Sequence, residues 1–212
     1  IVGKTGSGKT TLIRQLLKMY PPGTGSLIID GINITGLSKK ELRQRIGYVS
    51  QENILFSRTV KDNILFGNPD ASDEELDRAI EASAFDSDLA LMPKGLQTMV
   101  GEKGIALSGG QKQRISIARS LIKDPEILIF DDALSAVDAK TEQRIINNIK
   151  RGRKEKTTII VTHRLSAVRH ADVIVVLEDG RIAETGSHDE LVQSDGWYRK
   201  QNQYYETGGE EN

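Results

Sequence analysis

Residues 3–10 read Gly3-Lys4-Thr5-Gly6-Ser7-Gly8-Lys9-Thr10, between the apolar pair Ile1-Val2 and a helical stretch from Thr10 to Met19. The pattern fits G-x-x-x-x-G-K-[ST] and leaves the local chain few options. Its glycines permit a curl that turns successive backbone N–H groups inward, and the helix behind it aims its positive end at the same point. A curl of that kind holds phosphate. Gly3, Lys4, Thr5, Gly6, Ser7 and Gly8 would wrap a β-phosphate, with Thr11 completing the cradle. Lys9 would extend to the β- and γ-phosphates, and the Thr10 hydroxyl would ligate Mg²⁺. An ordinary glycine turn is the alternative, and a strand before with a helix after disfavours it.

The bulk properties narrow the setting. The chain has 212 residues, enough for one α/β domain with a smaller helical lobe. Its 29 Lys and Arg balance 30 Asp and Glu, so the basic excess expected of a nucleic-acid-gripping protein is missing and no nucleic-acid partner is expected. The cations Lys150, Arg151, Arg153, Lys154 and Lys156 read as complements to a helix C-terminus. Without cysteine, disulfides and thiolate metal sites are impossible. No apolar run approaches the roughly 20 residues of a membrane helix. Ile1-Val2 enters the glycine loop as if a strand were joined halfway, which predicts a fragment with its N-terminal portion missing.

Short apolar strands alternate with helices in the rest of the chain, the pattern of an α/β sheet. The expected strands are Ser26 to Asp30, Ile46 to Val49, Glu126 to Phe130, Thr157 to Val161, and a hairpin of Asp172 to Leu177 with Arg181 to Glu184. Glu178-Asp179-Gly180 supplies its turn signal. Helices are expected up to a stop at Pro21-Pro22-Gly23, after the capping boxes Ser38/Glu41 and Ser72/Glu75, at 109–122, near 138–150, and twice near the C-terminus. From about Ser57 to Leu107 the rhythm breaks into helices. The expected organisation is a core of 1–56 and 109–206, a helical lobe of 57–108 inserted in it, and a disordered tail at 207–212.

Two further motifs decide the family. Ile127-Leu128-Ile129-Phe130-Asp131 is a buried-strand run ending in a carboxylate, placed where α/β folds open onto ligands. Leu107-Ser108-Gly109-Gly110-Gln111 is a glycine turn at a helix start. With the loop, they resemble the ATP-binding-cassette ATPases, whose signature peptide is LSGGQ. That resemblance implies an α/β fold, a P-loop NTPase core with a mostly parallel sheet and an inserted α-helical signature lobe. It implies ATP and Mg²⁺ as cofactors, with Thr10, Gln51 and Asp131 around the metal and Asp132, Gln51 and His163 in the catalytic positions. Ser108, Gly109, Gly110, Gln111 and the D-loop residue Asp138, at the end of Ser135-Ala136-Val137-Asp138, would meet nucleotide across a head-to-tail pair of domains.

The segments Gln51 to Ser57 and Thr98 to Gly104 resemble the Q-loop and X-loop of the exporter branch, with Arg58 and Met99 departing from the usual Gly and Glu. The implied partners are a second nucleotide-binding domain and transmembrane domains, and the implied place is the cytoplasmic face of the cell membrane. Soluble relatives acting in DNA repair or translation are the alternative, as is a non-hydrolysing nucleotide-sensing subunit. Repair-type relatives insert a long coiled coil where only a compact lobe fits between Gln51 and Leu107. Asp132 stands where the family places Glu. Its lost methylene removes about 1.5 Å of reach, and a misplacement of about 1 Å can cost ~100-fold in rate. This resembles the degenerate-site subunit of a bacterial heterodimeric exporter; a homodimer with a slow but working Asp132 is the alternative.

Overall fold

The computed structural model describes residues 1–21, 23–101 and 105–207. In chain order the elements are α1 (Lys9–Leu16), β1 (Ile28–Ile29), β2 (Ile32–Asn33), α2 (Lys39–Arg45), β3 (Ile46–Val49), α3 (Val60–Leu65), α4 (Asp73–Ala82) and α5 (Asp86–Leu89). Then come α6 (Gly109–Leu121), β4 (Ile127–Asp131), α7 (Ala139–Gly152), β5 (Thr157–Val161), β6 (Ile174–Glu178), β7 (Arg181–Gly186), α8 (His188–Leu191) and α9 (Trp197–Glu206). No helix among the described residues is long and apolar enough to cross a membrane.

The chain divides into two compact units, Ile1–Leu42 with the stretch from Ile160 onward, and Arg43–Ile159. The expected lobe boundaries near 57 and 108 are not where this division falls. The reason lies in α6, which packs against α3 and α4 and also against β3, so lobe and strand share one helix.

In the first unit, Val2 bridges Val176 of β6 in parallel, seated by Val2 N–H to the Val175 carbonyl (2.9 Å) and Leu177 N–H to the Val2 carbonyl (2.8 Å). β6 and β7 form the expected antiparallel hairpin. Its turn residues Asp179 and Gly180 both have positive φ (48° and 76°), as a type I′ turn requires. Val2, Leu165, Val168, Ile174, Val176, Leu191 and Tyr198 pack beneath it. The first helix stops at Leu16, ahead of the prolines. Lys18 turns left-handed (φ 53°), its N–H bonds the Gln15 carbonyl and Met19 N–H bonds the Arg14 carbonyl, which is a Schellman ending. The expected strand at Ser26 to Asp30 shrinks to Ile28–Ile29, because Asp30 (φ 49°) and Gly31 (φ 77°) turn the chain back to β2.

In the second unit, β3 pairs β4 in parallel. A buried cluster joins Val60 and Ile64 of α3, Leu76, Ala79 and Ile80 of α4, Phe85, and Ile115 and Ala118 of α6. Leu76, Ala79 and Ile80, spaced i, i+3, i+4, form one helical face. Asn63 is buried in this apolar setting and is satisfied by the Phe56 and Thr59 carbonyls and by Arg119. Arg119 in turn lies over the rings of Phe56 and Phe66 (5.4 and 5.9 Å to the centroids).

Both expected capping boxes form: Ser38 with Glu41 and Ser72 with Glu75. The hydrogen bonds from Ser72, backbone first, hold the Glu75 carboxyl below its ordinary pKa. A depressed carboxyl stabilises the fold above the ordinary carboxylate range, and that contribution fades as pH falls through the lowered value. Ser72→Ala is therefore expected to lower the urea midpoint at pH 7, and the gap to wild type should narrow on acidification into that range. A gap that stays constant with pH would assign the effect to the lost Ser72 Oγ cap on Glu75 N–H alone.

Candidate functional site

The candidate residues are distributed between the units: Gly3 to Thr11 and His163 in the first, and Gln51, Ser108 to Gln111, Asp131, Asp132 and Asp138 in the second.

In the first unit, the glycine curl forms. Gly3 (φ 144°), Gly6 (φ 84°) and Gly8 (φ 99°) all take positive φ, and Ser7 N–H closes on the Lys4 carbonyl at 3.1 Å. Gly3 is confined further, since a Cβ there would collide with the Leu177 carbonyl oxygen. The β6–β7 turn backs the loop from the other side: Gly180 N–H donates to the Ser7 carbonyl (3.0 Å). Lys9 Nζ donates to the carbonyls of Gly3 (2.7 Å) and Lys4 (2.8 Å), which places its charge within the curl. No side chain caps α1, and its N-cap is Gly8. The first-turn amides of Lys9, Thr10 and Thr11 are thus the ones an anion would meet. Ser7 is buried, and its Oγ has no hydrogen-bond partner among the described residues. His163 follows β5, where Thr162 N–H bonds the Ile1 carbonyl (3.1 Å) and Thr162 Oγ1 accepts from Arg164 N–H (3.0 Å).

In the second unit, Asp131 ends β4 as a buried carboxylate, with 4% of its surface exposed. Tyr48 of β3 donates its hydroxyl to Asp131 Oδ2 at 3.0 Å. Asp132 is left-handed (φ 52°), a conformation that Asp tolerates better than most non-glycine residues. Its carbonyl accepts from Ser135 Oγ (2.9 Å), which starts the turn toward Asp138. Asp138 is the N-cap of α7, accepting from Thr141 N–H at 3.0 Å. A hydrogen bond with the Thr141 side chain, and after it this backbone one, hold its carboxyl below the ordinary value. Gln51 lies after β3, with its carbonyl accepting from the Asn53 amide (3.2 Å).

The signature turn is more constrained than its glycines suggest. Ser108 Oγ accepts from Gln111 N–H (3.2 Å), and Gln111 Oε1 accepts from Ser108 N–H (3.0 Å), a reciprocal capping box. Gln113, one turn into α6 and fully buried, accepts Ala136 N–H (3.1 Å), so the D-loop is fastened to the signature helix. A Cβ on Gly110 would stand 3.0 Å from the Ala136 carbonyl oxygen. Tyr48, Gln113 and Asp88, described below, escaped the sequence reading. For Ser108/Gln111 the S-x-x-Q spacing was the available signal.

The sequence profile described as ABC transporter matches residues 1–135, well over half of the chain. This chain belongs to the ABC transporter family. It carries the family's ATP-binding, ATP-hydrolysing fold. It is 62% identical over 201 residues to a probable multidrug resistance ABC transporter ATP-binding/permease protein of Bacillus subtilis, covering 95% of this chain and 34% of that protein. An ATM1-type heavy metal exporter of Novosphingobium aromaticivorans is 44% identical, with 93% of this chain and 33% of that protein covered. A solved bacterial Atm1-family ABC exporter with ATP bound superposes with a TM-score of 0.92 at 43% identity, covering 96% of this chain and 36% of that one. The ABC chain thus spans about a third of the length of these relatives.

The loop geometry separates two glycines that the motif treats alike. Nothing lies within 4 Å of a Cβ on Gly6, whereas Gly3 meets backbone. Gly6→Ala is expected to cost about 1–2 kcal/mol, the strain of a left-handed residue. Gly3→Ala should cost clearly more in urea unfolding, because strain and collision add. Equal losses would mean that the Val2–Leu177 seating does not hold the loop.

Proposed function

We propose that this chain is the ATP-driven motor domain of a membrane exporter, working at the cytoplasmic face of the cell membrane in head-to-tail pairing with a second such domain. The observation that carries this reading is that the chain offers two dissimilar helix-start anion sites. The uncapped α1 follows the Gly3–Thr10 loop, and the capped α6 leaves the N–H groups of Gly109 and Gly110 to an outside acceptor. In the proposed pair, each chain's loop holds one nucleotide's phosphates, and its signature turn closes on the nucleotide held by its partner. Exporter membership is supported by the relatives' names and by an exposed apolar set around the Q-loop: Ile54, Phe56, Phe66, Met99 and Ile105. A groove of about 360 Å³ beside it, lined by Asn53, Leu55, Gly101, Ile105, Leu107 and Lys112 among others, would take elements of the transmembrane domains. Glu102 to Gly104 of the X-loop lie outside the described residues.

The donor set suits Mg²⁺. Each unit offers hard oxygen donors of the kind Mg²⁺ takes alongside phosphates and water: the Thr10 hydroxyl in the first, and the Gln51 amide oxygen and Asp131 carboxylate in the second. Mg²⁺, when bound, neutralises charge on the β- and γ-phosphates. Lys9 and the loop amides orient the phosphates, and Tyr48 holds the Asp131 carboxylate in place. In this reading Asp132, in the second unit, would orient the attacking water, and His163, in the first, would contact the γ-phosphate. Because Asp132 is a methylene shorter than the family's Glu, this chain's own site would turn over slowly, and the second domain would be a different subunit with a full catalytic site.

The reading is tested by ATP turnover of the assembled protein. A general base contributes ~10²–10⁴-fold, yet Asp132→Asn should lower turnover only modestly if this site is degenerate. Gly110→Asp should be far worse, since it puts a carboxylate where the partner's γ-phosphate docks. Asp132→Glu should raise turnover. If Asp132→Asn abolishes turnover as fully as Gly110→Asp does, this domain is an ordinary hydrolytic subunit that uses aspartate.

A further inference from the structure

The four-residue helix α5 brings two carboxylates up to longer helices. Asp86 pairs with Arg144 of α7 at 2.7 Å, with both side chains over 40% exposed. Such a pair contributes little. Asp88 is placed differently. Its side chain is 15% exposed and that of Arg114 12%; Asp88 Oδ2 accepts from Arg114 Nε (2.8 Å), and Nη2 stands 2.6 Å away in the same ion pair. Its other oxygen, Oδ1, accepts from Gln111 Nε2 at 3.2 Å. One carboxylate thus takes two hydrogen bonds and an ion pair from the first two turns of α6, the helix that begins with the signature turn.

The consequence for that turn follows from what each donor does elsewhere. Gln111 Oε1 is already committed to Ser108 N–H. With Nε2 on Asp88, both ends of the Gln111 amide are fixed, and the side chain bridges the capping box to α5. Arg114 Nη1 lies 3.5 Å from where a Gly110 Cβ would be, so its guanidinium flanks the glycine turn. An unpaired guanidinium there would be a mobile positive charge beside the Gly109 and Gly110 amides. Paired with Asp88, it is neutralised and held by a charge-assisted hydrogen bond from Nε.

We propose that Asp88 is a positioning residue for the second nucleotide site: by fixing Gln111 and Arg114 it sets the geometry and charge of the signature turn that this chain presents to its partner's ATP. This rests on the proposed head-to-tail reading. Asp88 touches no nucleotide in this account and acts wholly through the two α6 side chains. It is also chemically separate from the chain's own phosphate loop, so its loss should spare loop binding.

The test uses the assembled protein and three readouts: steady-state ATP turnover, binding of a fluorescent ATP analogue to this chain's own loop, and the melting temperature without nucleotide. Asp88→Leu removes all three contacts. Asp88→Asn is isosteric, keeps an acceptor for Gln111 and ends the ion pair, so it reports even if the leucine variant folds poorly. Asp88→Leu should lower kcat for ATP at least tenfold and Asp88→Asn several-fold, with loop affinity within twofold of wild type. Adding Arg114→Leu to Asp88→Leu should cost little more, because the two act as one unit. Turnover within twofold of wild type for both Asp88 variants would overturn the proposal. So would losses of turnover, loop affinity and melting temperature in parallel, which would make Asp88 merely structural. Gly110→Asp serves as the control: if it too leaves turnover untouched, the head-to-tail reading fails rather than the role of Asp88.

Discussion

The second unit depends on how α6 is buried. Ile115, Ile117 and Ala118 are fully buried, and the helix fills the space between α3, α4 and β3. Apolar contact alone would let such a helix slide or rotate at modest cost. Polar contacts at fixed heights prevent that. Gln113 receives the Ala136 amide, Ser120 Oγ donates to the Tyr48 carbonyl (3.3 Å), and Arg119 donates to the Asn63 backbone (2.7 Å). Gly67 runs so close to the Arg119 carbonyl that a Cβ would collide with it. Each is directional, and an unmet partner in a dry interior carries a desolvation penalty. The position of the signature turn at the N-terminus of α6 is therefore set by the whole length of the helix behind it.

The first unit solves a related problem with less material. A glycine loop has high backbone entropy when free, so its curl must be imposed from outside. Val2 does this from one end, clamped between the Val175 carbonyl and the Leu177 amide, and Gly180 does it from the other by bonding Ser7. The type I′ turn at Asp179-Gly180 thus belongs to the phosphate loop's support as well as to the hairpin. In both units, backbone amides at a helix start are held rigid before any ligand arrives, which is what electrostatic preorganisation requires.

Local rules carried far in this chain because its critical features are local. The loop, the capping boxes at Ser38 and Ser72, the I′ turn at Asp179-Gly180 and the face of α4 are each written within a few consecutive residues. What escaped is long-range. Tyr48 and Asp131 are 83 residues apart, and no spacing rule links a tyrosine in one strand to a carboxylate in its neighbour. The same holds for Asp88 with Gln111 and for Gln113 with Ala136. The resemblance makes Gln111 a nucleotide contact and gives no sign that both ends of its amide are engaged within the chain. The division into units at Leu42 and Ile159 was also out of reach, because it depends on α6 joining lobe and strand. Asp132 shows the reverse case: one substituted methylene, legible at once, carries a mechanistic claim.

In the proposed pairing, two helix starts, α1 and α6, meet phosphate from two different nucleotides. Hydrogen–deuterium exchange of the assembled protein, with and without Mg²⁺ and a slowly hydrolysed ATP analogue, measures this at the amides concerned. The account predicts slowed exchange at Lys9, Thr10 and Thr11 and also at Gly109 and Gly110. Protection confined to the loop, with the signature turn exchanging as it does without nucleotide, would contradict it.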